Sequence, residues 1–163
     1  MLLNFVIKVN SKIDLDCNYI DRRWSKYSKA YLKKVFILCL NNIEKPFRDK
    51  EYLCSLNFSN SAQIKDLNKI YRKKNKDTNV LSFQYVNWSE NNPDYIFLGE
   101  IFFSYEKIES EAAEKNISFD SHLYFLLIHG LLHLFGYDHK HDHEAEIMEN
   151  LEREICKQLG LGC

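Results

Sequence analysis

The chain has 163 residues, a formal net charge of −1, and 45% apolar against 28% charged residues, the proportions of an ordinary globular protein. No apolar run approaches the ~20 residues that span a bilayer, and the near-neutral charge excludes the strongly basic class that binds nucleic acid by net charge alone. One domain over residues 1–163, without membrane association and in the cytoplasm, is expected.

Met1 to Val9 alternates apolar and polar residues around Asn4 and Lys8, lacks a basic leader with a cleavage site, and reads as a first strand. Trp24 to Ile43 carries helical spacing at Trp24, Tyr27, Tyr31, Val35 and Leu38. Tyr52, Cys54, Leu56 and Phe58 alternate as a strand, and Asn60 with Gln63 stands at capping-box spacing before a helix through about Tyr71. Val80 to Val86 and Tyr95 to Ser104 give two more strands, joined by a turn at Asn91-Asn92-Pro93-Asp94. Helices follow at roughly Tyr105 to Lys115, Asp120 to Phe135 and His141 to Leu159, with Gly160 as a stop. The order β-α-β-α-β-β-α-α-α predicts an α/β (α+β) single domain, a small mixed sheet of about four strands covered by about five helices. Five cysteines without a C-x-x-C pair support neither a disulfide framework nor a cysteine-type zinc finger.

Charge is unevenly placed along the chain. Lys65, Lys69, Arg72, Lys73 and Lys76 fall on one face of a helix that continues that far, whereas the stretch after His141 is acidic. Lysines in such a stripe are by default a solvated face; Lys69, Lys73 and Lys76 are candidate substrate contacts. Arg72 differs because it precedes a polar loop, Lys73 to Asn79, and could turn into a cleft where a guanidinium grips phosphate in a bidentate manner.

Chemistry concentrates at His129-Gly-Leu-Leu-His133-Leu-Phe-Gly136-Tyr137-Asp138-His139. On a helix, His129 and His133 stack on one face about 6 Å apart, close enough to grip one cation. Leaving two unpaired imidazoles among so many leucines would cost roughly 1–3 kcal/mol each, which ligation relieves. Gly136 offers the positive-φ position that folds the chain back and brings a third histidine to the ion. His139 directly follows the turn; His141 and His143 are the competing choices. Three imidazoles suit one zinc ion and leave a fourth position for water or substrate, although other divalent transition metals also bind such sets. His122 shares the helical face but sits about 10 Å along the axis, and is expected as a first-turn surface residue. Tyr137 and Phe83 could stack a base, with core packing the commoner fate of such rings. Asp138 is placed to orient an imidazole.

Zinc metalloproteases carry H-E-x-x-H, with the glutamate as general base. Here Gly130 stands at that position. Peptide hydrolysis would need a carboxylate from elsewhere, with Glu100 and Asp138 as the candidates, while other metal-assisted hydrolysis stays open.

The histidine run resembles the H-G-x-L-H-L-x-G-Y-D-H signature of the YbeY family of bacterial rRNA maturation endoribonucleases over its whole length. Tyr71-Arg72, Thr78-Asn79-Val80-Leu81-Ser82-Phe83, Leu98-Gly99-Glu100-Ile101 and Glu144-Ala-Glu-Ile-Met148-Glu are similar to family segments in the same order, with Glu100 where Asp is common. The resemblance implies a zinc-dependent, single-strand-specific endoribonuclease acting on the small-subunit rRNA 3′ end and in ribosome quality control, partnered by the small ribosomal subunit or its proteins. It implies His129, His133 and His139 as ligands and Arg72 as the functional arginine that holds the scissile phosphate. Two alternatives stand beside it: a metallopeptidase-like hydrolase, and a non-catalytic ribosome-assembly factor with a structural metal.

Overall fold

The computed structural model describes residues 12–43, 50–86 and 95–162. Met1 to Val9 and the turn at Asn91 to Asp94 lie outside these residues. The elements run β1 (Lys12–Tyr19), a 3₁₀ turn (Arg22–Trp24), α1 (Lys29–Asn42), β2 (Glu51–Ser59), α2 (Ser61–Arg72), β3 (Val80–Gln84), β4 (Tyr95–Ser104), α3 (Tyr105–Glu114), α4 (Phe119–Leu134) and α5 (Asp142–Leu159). The expected mixed sheet of four strands and its five helices are present. Strand order is β1-β2-β4-β3, with β1, β2 and β4 parallel and β3 antiparallel on the edge.

β1 at Lys12–Tyr19 is a strand beyond those expected, and one expected helix differs in extent. The helix expected from Trp24 begins only at Lys29, because the Ser28 side chain accepts from the Tyr31 N–H and caps it there. Trp24 instead turns inward, fully buried, and donates its indole N–H to the Ser59 carbonyl at 2.8 Å. Phe58, Phe103, Tyr105 and Phe119 pack around it with centroids 5.1–6.5 Å away, so one aromatic knot ties β2, β4, α3 and α4 together. α2 ends where expected, near Tyr71. Lys73 adopts φ 58 and donates its N–H to the Asn68 carbonyl, stopping the helix at Arg72.

Alternation along the strands sends Tyr52, Leu56, Phe58, Ile101 and Phe103 to the face covered by α1 and α4, where the core lies. At the edge, Ser82 and Gln84 face α4, while Phe83 points to the opposite face and meets Tyr71 of α2 at 5.2 Å. Gly99 makes the close crossing of β4 past β3 possible. Its φ is +142°, and a Cβ there would lie 2.0 Å from the Phe83 carbonyl oxygen. No helix among the described residues is long and apolar enough to cross a membrane.

Candidate metal centre and catalytic cleft

α4 is apolar nearly all round. Leu123, Leu126, Leu127, Ile128, Leu131 and Leu132 are buried, and the line Phe125, His129, His133, at i, i+4 and i+8, opens to cavities. Gly130 explains how closely this helix approaches the sheet. A Cβ at that position would stand 3.0 Å from both the Ile101 side chain and the Ser82 hydroxyl, so the glutamate of a metalloprotease motif has no room there. The two substitutes weighed above do not replace it. Glu100 accepts from the Tyr85 hydroxyl at 3.0 Å on the opposite face of the sheet, and Asp138 accepts from the His139 N–H and pairs with Lys140 at 2.7 Å.

The turn after α4 forms as its glycine requires. Gly136 has φ +90°, and the N–H groups of Gly136 and Tyr137 donate back to the His133 and Leu132 carbonyls at 3.0 Å. This reversal returns His139 to the helical pair. Ring centroids are 4.6 Å apart for His129 and His133, 5.0 Å for His133 and His139, and 5.5 Å for His129 and His139. One nitrogen from each lies within 4.8 Å of the others, a set that could hold a metal ion. His141 caps α5 and His143 lies in its first turn, both exposed and outside this set.

The outer nitrogens fix the rings. Glu152 of α5, 7% exposed, accepts from His129 Nδ1 at 2.6 Å, and the Tyr137 carbonyl accepts from His133 Nδ1 at 3.0 Å. With both Nδ1 atoms donating, the bare Nε2 atoms meet at 3.1 Å. Two lone pairs that close repel unless a cation lies between them, and tetrahedral zinc with Zn–N of ~2.0–2.1 Å sets its donors roughly 3.3 Å apart. The donor set therefore fits such an ion. Burial first, and then neighbouring His129 and His139, hold the His133 imidazole below the usual histidine range, which keeps its lone pair available.

The histidines border two cavities. The larger, about 820 Å³, is lined besides the histidines by Arg72, Lys74 and Lys140 and by Ser82 and Gln84 of β3. Arg72 thus shares one cleft with His129, His133 and His139. Lys69, Lys73 and Lys76 do not line it: Lys69 lies within α2, and the left-handed turn at Lys73 takes Lys73 and Lys76 off the helical stripe. Lys74, whose N–H also returns to the Asn68 carbonyl at 3.2 Å, and Lys140 take the places by the cleft. Tyr137 lines the same cavity, whereas the half-buried Phe83 packs against the exposed Tyr71 and against Phe102 on the outer face, apart from the core cluster.

The smaller cavity, about 250 Å³, lies on the other flank of His129 and His139. Its wall corrects the surface position expected for His122: that ring is 1% exposed and bonded to Glu111 at 2.8 Å, with Asn79 donating to the same oxygen. Sequence reasoning also missed Glu152. Its signal was present in the spacing Met148, Glu152, Ile155, Cys156, which places one acid on the buried stripe of an otherwise acidic helix.

Residues 18–160 match the family described as Endoribonuclease YbeY. The chain is 48% identical over 157 residues to the endoribonuclease YbeY of Rhizobium johnstonii, covering 93% of this chain and 92% of the relative. It is 46% identical over 118 residues to that of Sinorhizobium fredii, covering 72% and 68%. The solution structure of TM1509 from Thermotoga maritima superposes with a TM-score of 0.54 at 23% identity, covering 91% of each chain, a likeness of fold. With the family match spanning nearly all the described residues and the helix-borne histidine pair, the glycine turn and the third histidine in place, the chain belongs to the endoribonuclease YbeY family.

Proposed function

We propose that this protein is a metal-dependent, single-strand-specific endoribonuclease that takes zinc at His129, His133 and His139 and acts in maturation of the small-subunit rRNA 3′ end and in ribosome quality control. The observation that carries the reading is the one cleft that the three clustered imidazoles share with Arg72, Lys74 and Lys140. Three histidine donors leave one coordination position open, and a divalent ion held there would supply Lewis-acid chemistry to a phosphoryl oxygen.

The chain's own groups account for the remaining work. Among the described residues no carboxylate pairs with Arg72, which leaves its guanidinium fork available for two phosphate oxygens and for the charge that develops on them. Lys74 and Lys140 add attraction at the rim, so affinity falls as salt rises. Glu152 and the Tyr137 carbonyl hold His129 and His133 in the tautomer that aims Nε2 inward. A protein of net charge −1 binds RNA weakly by its overall field, consistent with delivery of substrate by the small ribosomal subunit or one of its proteins.

The test is cleavage of an end-labelled single-stranded RNA from the small-subunit rRNA 3′ region by zinc-loaded protein, beside Arg72→Ala purified identically. Chelator is expected to stop cleavage, and the folded variant to be slower by about 10²–10³-fold, the usual effect of losing one charge-stabilising donor. Equal cutting by both proteins, or none by either, would leave an RNA-binding assembly factor as the better reading.

A further inference from the structure

We infer that the smaller cavity is a nucleobase subsite that seats one base of the RNA next to the scissile phosphate, on the flank of the histidines away from Arg72. The inference rests on the nuclease reading above and adds to it the place where sequence or position along the strand is sensed.

Continuity is the first argument. Asn79, Val80, His129 and His139 line both cavities, so a strand whose phosphate lies between the histidines and Arg72 has its adjoining nucleoside at the mouth of the smaller one. Size is the second: about 250 Å³ is below the roughly 300–1,000 Å³ of whole-ligand pockets, enough for one planar group and not for a nucleotide stretch. The walls supply the third. Phe125 and the buried His122 ring lie nearly parallel, 9° apart with centroids at 6.5 Å, and Leu126 and Met148 close the apolar floor. The His122 ring is held there by Glu111, which in turn is held by Asn79, so the flat wall is fixed before any ligand arrives. Charge away from the histidines favours a neutral occupant over phosphate: on that side Glu149 lines the cavity with one lysine, Lys115, and Glu152 is already engaged by His129. A base is the neutral, flat, partly apolar unit that single-stranded RNA offers to such walls.

The experiment is an abasic scan: a set of short single-stranded RNAs, each lacking the base at one position around the mapped cut. Affinity is measured by anisotropy in chelator, where nothing is cut, and kcat/KM is measured in zinc, for the wild type and for Phe125→Leu. Stacking of one base predicts a loss of about tenfold in both quantities at a single position flanking the cut. That loss is expected to shrink to about twofold in Phe125→Leu, since the variant has already lost the flat wall. A scan in the wild type that is level at every position overturns the subsite whether or not the variant folds. Cleavage of the intact RNA with a level scan removes the subsite alone, whereas no cleavage of the intact RNA removes the nuclease reading and the subsite with it.

Discussion

Removing the carboxylate behind His129 should weaken metal binding without disturbing the fold. Glu152 reaches His129 from α5 across a 2.6 Å hydrogen bond and is 7% exposed, so water cannot readily replace it. A hydrogen bond to a charged group contributes about 1.5–3 kcal/mol, and loss of the partner behind a ligating histidine commonly costs 10–100-fold in metal affinity, or about 1.4–2.8 kcal/mol. The two ranges agree. Glu152→Ala, which leaves His129 free to rotate and its Nδ1–H unpaired, is expected near the hundredfold end. Glu152→Gln keeps an acceptor oxygen at the same reach but loses the charge that raises the basicity of the ring, and about tenfold is expected. The assay is competition for zinc against a chromophoric chelator, with far-UV circular dichroism to establish that each variant is folded. Zinc affinity within twofold of the wild type for folded Glu152→Ala would refute the claim that this contact sets the ring for a metal.

Gly99→Ala should destabilise by about 3 kcal/mol, combining backbone strain with a direct clash, because φ is +142° and the new methyl would meet the Phe83 carbonyl 2.0 Å away; a urea midpoint close to that of the wild type would contradict the crossing described for β3 and β4. Stability should also respond to acid through Glu111. Burial pushes its carboxyl up, but hydrogen bonds from His122 and Asn79 outweigh burial and hold it below the usual carboxylate range. The unfolded chain therefore takes up the proton first as pH falls, so this stabilisation is present above about pH 4.3, the ordinary glutamate value, and is lost as pH falls through the depressed native one. Urea midpoints followed downward from about pH 6 are expected to fall more steeply for the wild type than for Glu111→Gln, and parallel curves would show that the pair contributes nothing.

The parts of the site that were legible before the structure are those written at short range. An i, i+4 histidine pair and a glycine turn need only the geometry of one helix and its end, and α4 with Gly136 follows that geometry. Arg72 was legible because it is the last helical residue before a polar loop. The course of the chain at Lys73 and Lys76 was not: they share a face with Lys69 only on a helix that continues past Arg72, and the left-handed turn at Lys73 is closed by Asn68, whose carbonyl receives two N–H groups and whose amide reaches the Lys76 carbonyl at 2.7 Å. Helical period carries no information on such a loop. His122 was misplaced for a related reason, since its burial depends on Glu111 and Asn79, which come from α3 and the approach to β3. Pairings across that many residues are settled by packing, and only the buried stripe of α5 held a sequence-level sign of one, at Glu152.

Two of the three clustered histidines belong to the most enclosed helix of the fold, whereas His139 is exposed and hangs from the turn beyond Gly136. An ion held by the three would thus have two ligands on the enclosed helix and one on a short exposed loop, so the loop contacts, with Asp138 accepting from the His139 N–H and pairing with Lys140, would bear on how the third ligand is presented.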